Sequence, residues 1–129
     1  MSKFQTLSAP LGRFLIAMIF VMAGLNKISG YEGTQGYMDA MGVPGGLLPL
    51  VILLEVVGGL AIIAGWKTRP IAFLLAGFSV LSAILFHPNF ADQAEMIMFM
   101  KNIAIAGGFL FLVVHGPGAY ALDNRSTNA

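Results

Sequence analysis

The chain has 129 residues, of which 57% are hydrophobic and 10% are charged, and its formal net charge is +1. Soluble domains average about 25% charged residues, so this composition, with a mean hydropathy of +0.83, predicts a membrane protein of one domain, residues 1–129. The near-neutral charge argues against a nucleic-acid partner, and the lack of cysteine excludes a disulfide relay, an iron–sulfur cluster or a thiolate metal site.

Four apolar runs are long enough to cross a bilayer. They cover residues 10–28, 47–66, 70–87 and 94–115. Each run holds about 18 to 22 residues, which at a rise of about 1.5 Å per residue matches a hydrocarbon core of about 30 Å. Prolines near the ends, such as Pro10, are expected to mark helix boundaries. The sequence therefore predicts an all-α fold, a four-helix transmembrane bundle.

The distribution of lysine and arginine predicts the orientation of the bundle. Lys3 and Arg13 flank the start of the first run, and Lys67 and Arg69 fill the short loop between the second and third runs. The other two loops are mainly acidic. The positive-inside rule therefore places both the N- and C-termini in the cytoplasm, with the lipid bilayer as the main partner of the outer surface.

Ionisable residues inside the apolar runs are the first candidates for function, because a charge near the bilayer centre costs about 2.5 to 3.5 kcal/mol. Glu55 lies about ten residues, or ~15 Å, below the outer end of the second run, and Lys101 about seven residues, or ~10 Å, below that of the fourth. This similar depth predicts that Glu55 and Lys101 pair. The pair is either purely structural or part of a ligand or proton site.

The remaining polar residues fall near the two ends of the bundle. Lys27, His87 and Asn102 lie in the outer half with Glu55 and are candidate ligand-binding residues. Alternatively, the Lys27 side chain extends to the outer headgroups, and His87 is simply a side chain at the membrane interface. Arg13 and Asp123 are expected to form a structural pair that closes the cytoplasmic end.

Helical spacing predicts which faces point inward. On the first, second and fourth runs these faces combine small and polar residues: Arg13, Ala17, Phe20, Gly24 and Lys27; Glu55, Gly58, Gly59 and Ile62; and Lys101, Ala104 and Gly108. The sequence predicts no metal site. His87 and His115 would lie at opposite membrane faces, and Met96, Met98 and Met100 point in divergent directions on a helix.

These residues resemble the pattern of the DoxX family of small bacterial membrane proteins. The resemblance covers most of the chain, from Leu11 to Asp123, in four motifs: Arg13-Phe14 to Phe20-x-x-x-Gly24-x-x-Lys27; Glu55-x-x-Gly58-Gly59 to Gly65-x-x-x-Arg69; Lys101-Asn102 with Gly107-Gly108; and Gly116-Pro117-Gly118-x-Tyr120-x-Leu122-Asp123. It implies a multi-pass protein of the bacterial inner (plasma) membrane. Some relatives are subunits of thiosulfate:quinone oxidoreductase, and others are tied to quinone, catechol or thiol stress.

Two functional hypotheses follow from the residues and the resemblance together. In the first, the outer half binds a quinone or similar redox compound, with Lys101, His87 or Asn102 donating to a carbonyl and Glu55 carrying a proton. No intrinsic cofactor is evident, so electrons would come from a redox partner subunit. Self-association is a further expectation, and enzyme activity is left open. In the second hypothesis, the protein is a non-enzymatic scaffold or small-molecule carrier with a structural polar seam.

Overall fold

The computed structural model describes residues 3–127 and is all-α, as predicted, with no strand in that part of the chain. The helices are α1 (Lys3–Ser29), α2 (Tyr31–Ala40), α3 (Leu48–Ala64), α4 (Thr68–Phe86), α5 (Gln93–His115) and α6 (Leu122–Thr127), and a short 3-10 turn, Gly45–Leu47, precedes α3.

Four of the helices are long and apolar enough to cross a membrane, which confirms the predicted spans. They correspond to the segments Thr6–Ser29, Gly45–Ala64, Thr68–Phe86 and Gln93–His115. Most of their large apolar side chains are exposed on the outside of the bundle. Such a surface is stable against lipid tails and would be unusual for a protein in water.

The start of α1 differs from the expectation. Pro10 lies inside this helix, Lys3–Ser29, so the prediction that Pro10 marks the boundary is wrong. A proline removes only one backbone hydrogen bond, and packing can offset that loss. Here the turn at Ala9 lies directly against Gly118, where any added Cβ would come within 2.6 Å of the Ala9 Cβ.

The close approach of α1 to α3 depends on two glycines. A Cβ added at Gly24 would lie 2.5 Å from the Val56 side chain, and one added at Gly59 would lie 2.7 Å from that of Val21. The predicted inward faces of both helices are confirmed, since Ala17, Phe20 and Ile62 belong to the buried core. Small residues on these faces therefore let the two backbones meet.

The rotation of α5 is different from the predicted one. Its buried residues are Ala106 and Phe109, whose ring meets that of Phe20 edge-on at 5.5 Å. Ala104 is exposed and Lys101 is only half-buried. The predicted inward face was therefore wrong by roughly one residue, or about 100° of rotation. Gly108 does touch α1, because a Cβ there would lie 2.6 Å from the Ile16 side chain.

The loop between α3 and α4 is the tight turn that the sequence indicated. Gly65 ends α3 in a left-handed conformation (φ 74°), and the N–H of Trp66 donates to the carbonyl of Ala61 at 2.8 Å. This pattern is a common helix end that requires positive φ, which glycine adopts without strain. Spans α3 and α4 therefore form a short antiparallel hairpin.

The start of α1, the 65–68 loop and α6 lie at the same end of the bundle, and α2 lies at the other. These are called the inner and outer ends, after the predicted topology.

Because the chain has no cysteine, single cysteines can test this orientation. We expect Glu32→Cys on exposed α2 to react with an impermeant thiol reagent in intact cells, and Lys3→Cys to react only after lysis. Labelling of Lys3→Cys alone would invert the assignment.

Candidate functional site

A cavity of about 460 Å³ lies in the outer half of the bundle, between the end of α1, α2, α3 and α4. This volume falls in the range of about 300 to 1,000 Å³ that small-molecule pockets occupy. Its walls are mainly leucine, valine, methionine and phenylalanine side chains. A few polar residues also line it: Lys27, Thr34, Tyr37, Glu55, Ser82 and His87. Three of these, Lys27, Glu55 and His87, belong to the set predicted from sequence.

An ion pair forms part of the cavity wall. The Lys27 Nζ lies 2.9 Å from the Glu55 Oε1; the Glu55 side chain is 5% exposed and that of Lys27 is 29% exposed. Gly24 makes this pair possible, because it lies one turn before Lys27 and leaves room for the Glu55 Cβ, which would be 3.2 Å from any Cβ added there. The absence of a side chain at Gly24 thus brings the two charges together.

The Glu55 carboxylate retains capacity for a further hydrogen bond. Its Oε1 is buried and accepts no hydrogen bond with good geometry among the described residues, although the Lys27 ammonium lies 2.9 Å away. Lys27 and Glu55 form an ion pair at this distance, and a carboxylate has about four lone-pair sites, so the pair leaves room for a further donor. A buried acceptor in this state is stabilised by a ligand that donates an O–H or N–H.

The predicted pairing of Glu55 with Lys101 is wrong. The Lys101 Nζ instead lies 3.6 Å from the Met98 sulfur on its own helix, and Lys101 is not among the residues that line the cavity. Depth along the membrane normal places residues at the same height but does not fix helix rotation. Lys101 is turned away because Ala106 and Phe109 form the buried face of α5. Asn102 is half-buried and also lies outside the cavity lining.

His87 lies at the outer edge of the cavity and is held by α5. Its Nδ1 is 2.9 Å from the Glu95 Oε2. Asp92 caps the start of α5 by accepting from the backbone N–H of Ala94 at 2.9 Å, which fixes the first turn that carries Glu95. With Nδ1 engaged, Nε2 is the ring nitrogen of His87 that can bind a ligand.

Sequence reasoning missed the contribution of α2. This ten-residue helix covers the outer end of the cavity and supplies Thr34, Tyr37 and Met38 to its lining. The Tyr37 ring stacks on Phe86 at 5.5 Å. Burial, followed by the negative charge of Glu95, raises the pKa of Tyr37. Its hydroxyl donates to the carbonyl of Phe86 at 3.5 Å. The spacing of three and four between these residues was the signal for a helix.

Two contacts fix α2 to the beginning of α3. The Asp39 Oδ1 accepts from the backbone N–H of Gly45 at 2.7 Å, and the Gln35 side chain donates to the Gly45 carbonyl at 3.2 Å. Gly45 itself has little free space, since an added Cβ would lie 3.1 Å from both Asp39 carboxylate oxygens. These side-chain hydrogen bonds therefore hold α2 in place over the cavity.

Arg13 lies far from this cavity, at the inner end. It is 2% exposed, and its guanidinium donates to the carbonyls of Ile62 at 3.2 Å and Ile63 at 3.0 Å and to that of Tyr120. The carbonyls of Ile62 and Ile63 lie in the last turn of α3, where carbonyl groups have no hydrogen-bond donor from their own helix. Arg13 therefore connects α1, α3 and the segment that follows α5.

Asp123 caps the start of α4 at the same end. Its carboxylate accepts from the backbone N–H groups of Lys67 at 2.5 Å and Thr68 at 2.9 Å. Burial raises the pKa of Asp123, but hydrogen bonds from Thr68 and Lys67 and the charge of Arg13 outweigh burial and hold this pKa below its usual value. Arg13 and Asp123 thus act on the same end of the bundle, each through backbone groups.

The described residues contain no cluster of three or more histidine, aspartate or glutamate side chains that could hold a metal ion. The cavity instead combines apolar walls with a lysine ammonium, a carboxylate that can accept a further hydrogen bond, a tyrosine hydroxyl and a histidine. These groups can form hydrogen bonds, as donors and as acceptors, with the oxygens of a small aromatic compound.

Comparison with known proteins agrees with this architecture. The chain is 54% identical over 123 residues to the inner membrane protein YqjF of Escherichia coli (strain K12), covering 95% of each chain. It is 36% identical to the inner membrane protein YphA of the same organism, covering 89% of this chain and 87% of that protein. A third relative, "Putative oxidoreductase CatD" of Bacillus subtilis (strain 168), is 29% identical over 85 residues, which cover 66% of this chain and 63% of CatD. No solved structure matches the chain.

The similarity to two inner membrane proteins and the four apolar spans make this chain a multi-pass protein of the bacterial inner membrane. The DoxX family matches residues 9–88, a segment that contains Arg13, Lys27, Glu55 and His87, and therefore most of the cavity wall. With more than half of its length matched and close relatives over nearly all of it, the chain belongs to the DoxX family.

Proposed function

We propose that this protein binds a quinone, or a similar small redox-active aromatic compound, in the outer-half cavity and serves as a membrane subunit in quinone-linked redox chemistry or stress protection. The observation that carries the proposal is the Lys27–Glu55 pair in the wall of a mainly apolar cavity of about 460 Å³. Apolar walls with a few convergent polar groups are typical of sites for such ligands.

The polar groups suit both redox states of this ligand. The Lys27 ammonium can donate a hydrogen bond to a quinone carbonyl, and the Glu55 carboxylate can accept one from a hydroxyl of the corresponding quinol. Tyr37 and His87 offer further hydrogen-bonding groups at the outer edge. Lys27 thereby replaces Lys101 as the proposed donor, because the structure places Lys101 outside the cavity.

Conversion of a quinone to a quinol takes up two electrons and two protons. The Glu55 carboxylate would take up a proton from water at the outer edge and pass it to a ligand oxygen, once for each of the two protons, since a carboxyl within hydrogen-bond reach acts as a general acid or base. The electrons would come from a redox partner subunit. The similarity to CatD, whose name describes an oxidoreductase, supports a redox role for this chain.

Ligand-dependent stability tests the proposal. At about 100 times its dissociation constant, a soluble benzoquinone should raise the free energy of unfolding by about 2.7 kcal/mol, or the melting temperature in detergent by roughly 10 °C. His87→Phe and Lys27→Met should reduce this shift, each relative to its own baseline, because a lost polar group leaves a ligand oxygen unpaired in an apolar site.

Two control variants separate the site from general effects. Lys101→Met removes another lysine of the outer half, which lies outside the cavity, and Arg13→Gln removes a buried cation at the opposite end. Both should keep the full quinone shift. An absent shift in the wild type, or equal shifts in all variants, would favour the other hypothesis, a membrane scaffold or carrier with a structural polar seam.

A further inference from the structure

The two helices that form the main walls of the cavity separate toward the outer end. In the inner half, α3 and α4 are joined by the short 65–68 turn, and Gly58 lies against Leu75 and Ile71, which are 3.5 and 3.7 Å from the position of an added Cβ. In the outer half, the cavity occupies the space between them. Helices α3 and α4 are thus in contact at the inner end and separated by the cavity at the outer end.

Several leucines line the cavity and are also exposed on the outside of the bundle. Leu50 on α3 is 63% exposed and Leu81 on α4 is 55% exposed, and both belong to the cavity lining. Residues of a closed pocket would be buried. Leu50 and Leu81 each lie five residues from the outer end of their span, at a matching depth of about 8 Å. They therefore border a lateral opening at the depth of the lipid tails.

In contrast to the side between Leu50 and Leu81, the water-facing end of the cavity is largely covered by α2. Met38 of α2 lines the cavity and is 4% exposed. The contacts of Asp39 and Gln35 with Gly45 hold α2 in this position. Tyr37 of α2 also lines the cavity and is 48% exposed, less than Leu50 and Leu81, so the wider route into the cavity runs from the bilayer, between α3 and α4.

We infer that the ligand enters sideways from the membrane and is a lipid-dissolved quinone with a long hydrophobic tail. Its ring lies in the cavity beside Lys27 and Glu55, and its tail leaves between Leu50 and Leu81 into the bilayer. This inference rests on the proposed function and adds the ligand class. A cavity of about 460 Å³ holds a ring with small substituents, whereas a long tail needs an exit.

Binding in lipid nanodiscs tests the inference with two probes, a dimethoxy-methyl-benzoquinone without a tail and the same ring carrying a decyl tail. Lipid and leucine are similarly apolar, so the tail gains little by moving from one to the other. We expect the wild-type dissociation constants, expressed as concentrations in the bilayer, to agree within about threefold. A decyl tail ending in a bulky dye should bind as well.

Variants at the opening give the sharper comparison. Leu81→Trp and, on the opposite wall, Leu50→Trp should weaken binding of the decyl compound at least tenfold more than binding of the tailless ring, because both leucines also line the ring cavity. Retained ring binding shows that these variants are folded. The matched control is Leu74→Trp, since Leu74 is 56% exposed on the same helix face, two turns further in, and does not line the cavity. It should change neither constant.

The outcomes are distinguishable. If the wild type binds the ring but rejects the decyl and dye-tailed compounds, or if neither tryptophan at the opening affects the decyl compound, the lateral route is overturned and the quinone site stands. If neither probe binds the wild type, the proposed function fails, and this inference with it.

Discussion

Arg13→Gln is expected to lower the free energy of unfolding by about 3 to 5 kcal/mol, the largest effect among the changes considered. The guanidinium is 2% exposed and donates to the backbone carbonyls of Ile62, Ile63 and Tyr120. A glutamine is too short to reach all three. The Ile62 carbonyl keeps the N–H of Gly65 as a donor, so the loss falls on the carbonyls of Ile63 and Tyr120, and each buried carbonyl left without a donor costs about 1 to 3 kcal/mol. An SDS-unfolding titration of the purified protein measures this loss.

Arg69→Gln is the matched control for this prediction. Arg69 lies at the same end of the bundle, beside Gly116, but is exposed to solvent or headgroups. We expect its replacement to change the unfolding free energy by less than about 0.5 kcal/mol. If the two arginine variants lose similar amounts, Arg13 does not hold the inner end together as the geometry indicates.

Lys27→Met is expected to destabilise the protein by about 2 to 3 kcal/mol. This lies below the roughly 3 to 5 kcal/mol of a fully buried pair, because the Lys27 side chain remains 29% exposed. The cost arises from leaving the nearly buried Glu55 carboxyl without its cation. Glu55→Gln should cost less, since the Lys27 ammonium can then extend toward the headgroups. Unfolding titrations of the two single variants give this order.

A double-mutant cycle tests whether these two residues act as a pair. The combined Lys27→Met, Glu55→Gln variant should recover about 1 to 2 kcal/mol relative to the sum of the single losses. Lys101→Met is the control, because its ammonium contacts only the Met98 sulfur among the described residues. It should show no coupling to Glu55. Coupling of Glu55 to Lys101 instead of Lys27 would restore the pairing expected from depth and contradict the structure.

The spans and two of their inward faces could be read from the sequence because they depend on local rules. A run of about 20 apolar residues is enough to predict a transmembrane helix. The small and apolar residues on the inner faces of α1 and α3 repeat at helical spacing, so Ala17 and Ile62 were correctly expected in the core. Depth, which follows from counting residues, correctly grouped Lys27, Glu55 and His87 in the outer half.

The identity of the Glu55 partner could not be read in the same way. Counting residues placed Lys101 closer to the depth of Glu55 than Lys27, but the actual partner depends on which helices touch and how each is rotated. Gly24 decides this by allowing α1 to approach α3 at the position of Glu55. On α5, Phe109 takes the buried position and turns Lys101 outward. These are tertiary effects that helical periodicity alone does not determine.

The covering helix α2 was missed for a different reason. It is short and has neither a side-chain cap at its start nor an apolar run, so its stability comes from tertiary contacts rather than from local preference. Asp39 and Gln35 bind Gly45, and Tyr37 stacks on Phe86. Each of these contacts joins α2 to a residue beyond its own sequence. Through them α2 supplies Thr34, Tyr37 and Met38 to the cavity lining.

The most direct test of the central claim is an experimental structure of the protein in lipid with an added long-tailed quinone. The account predicts density for one quinone ring in the outer-half cavity, within hydrogen-bond distance of Lys27 or Glu55, and a tail that leaves between Leu50 and Leu81. A quinone bound elsewhere, for example on the outer face of α5 near Lys101, with the outer-half cavity empty or filled by a lipid chain, would contradict it.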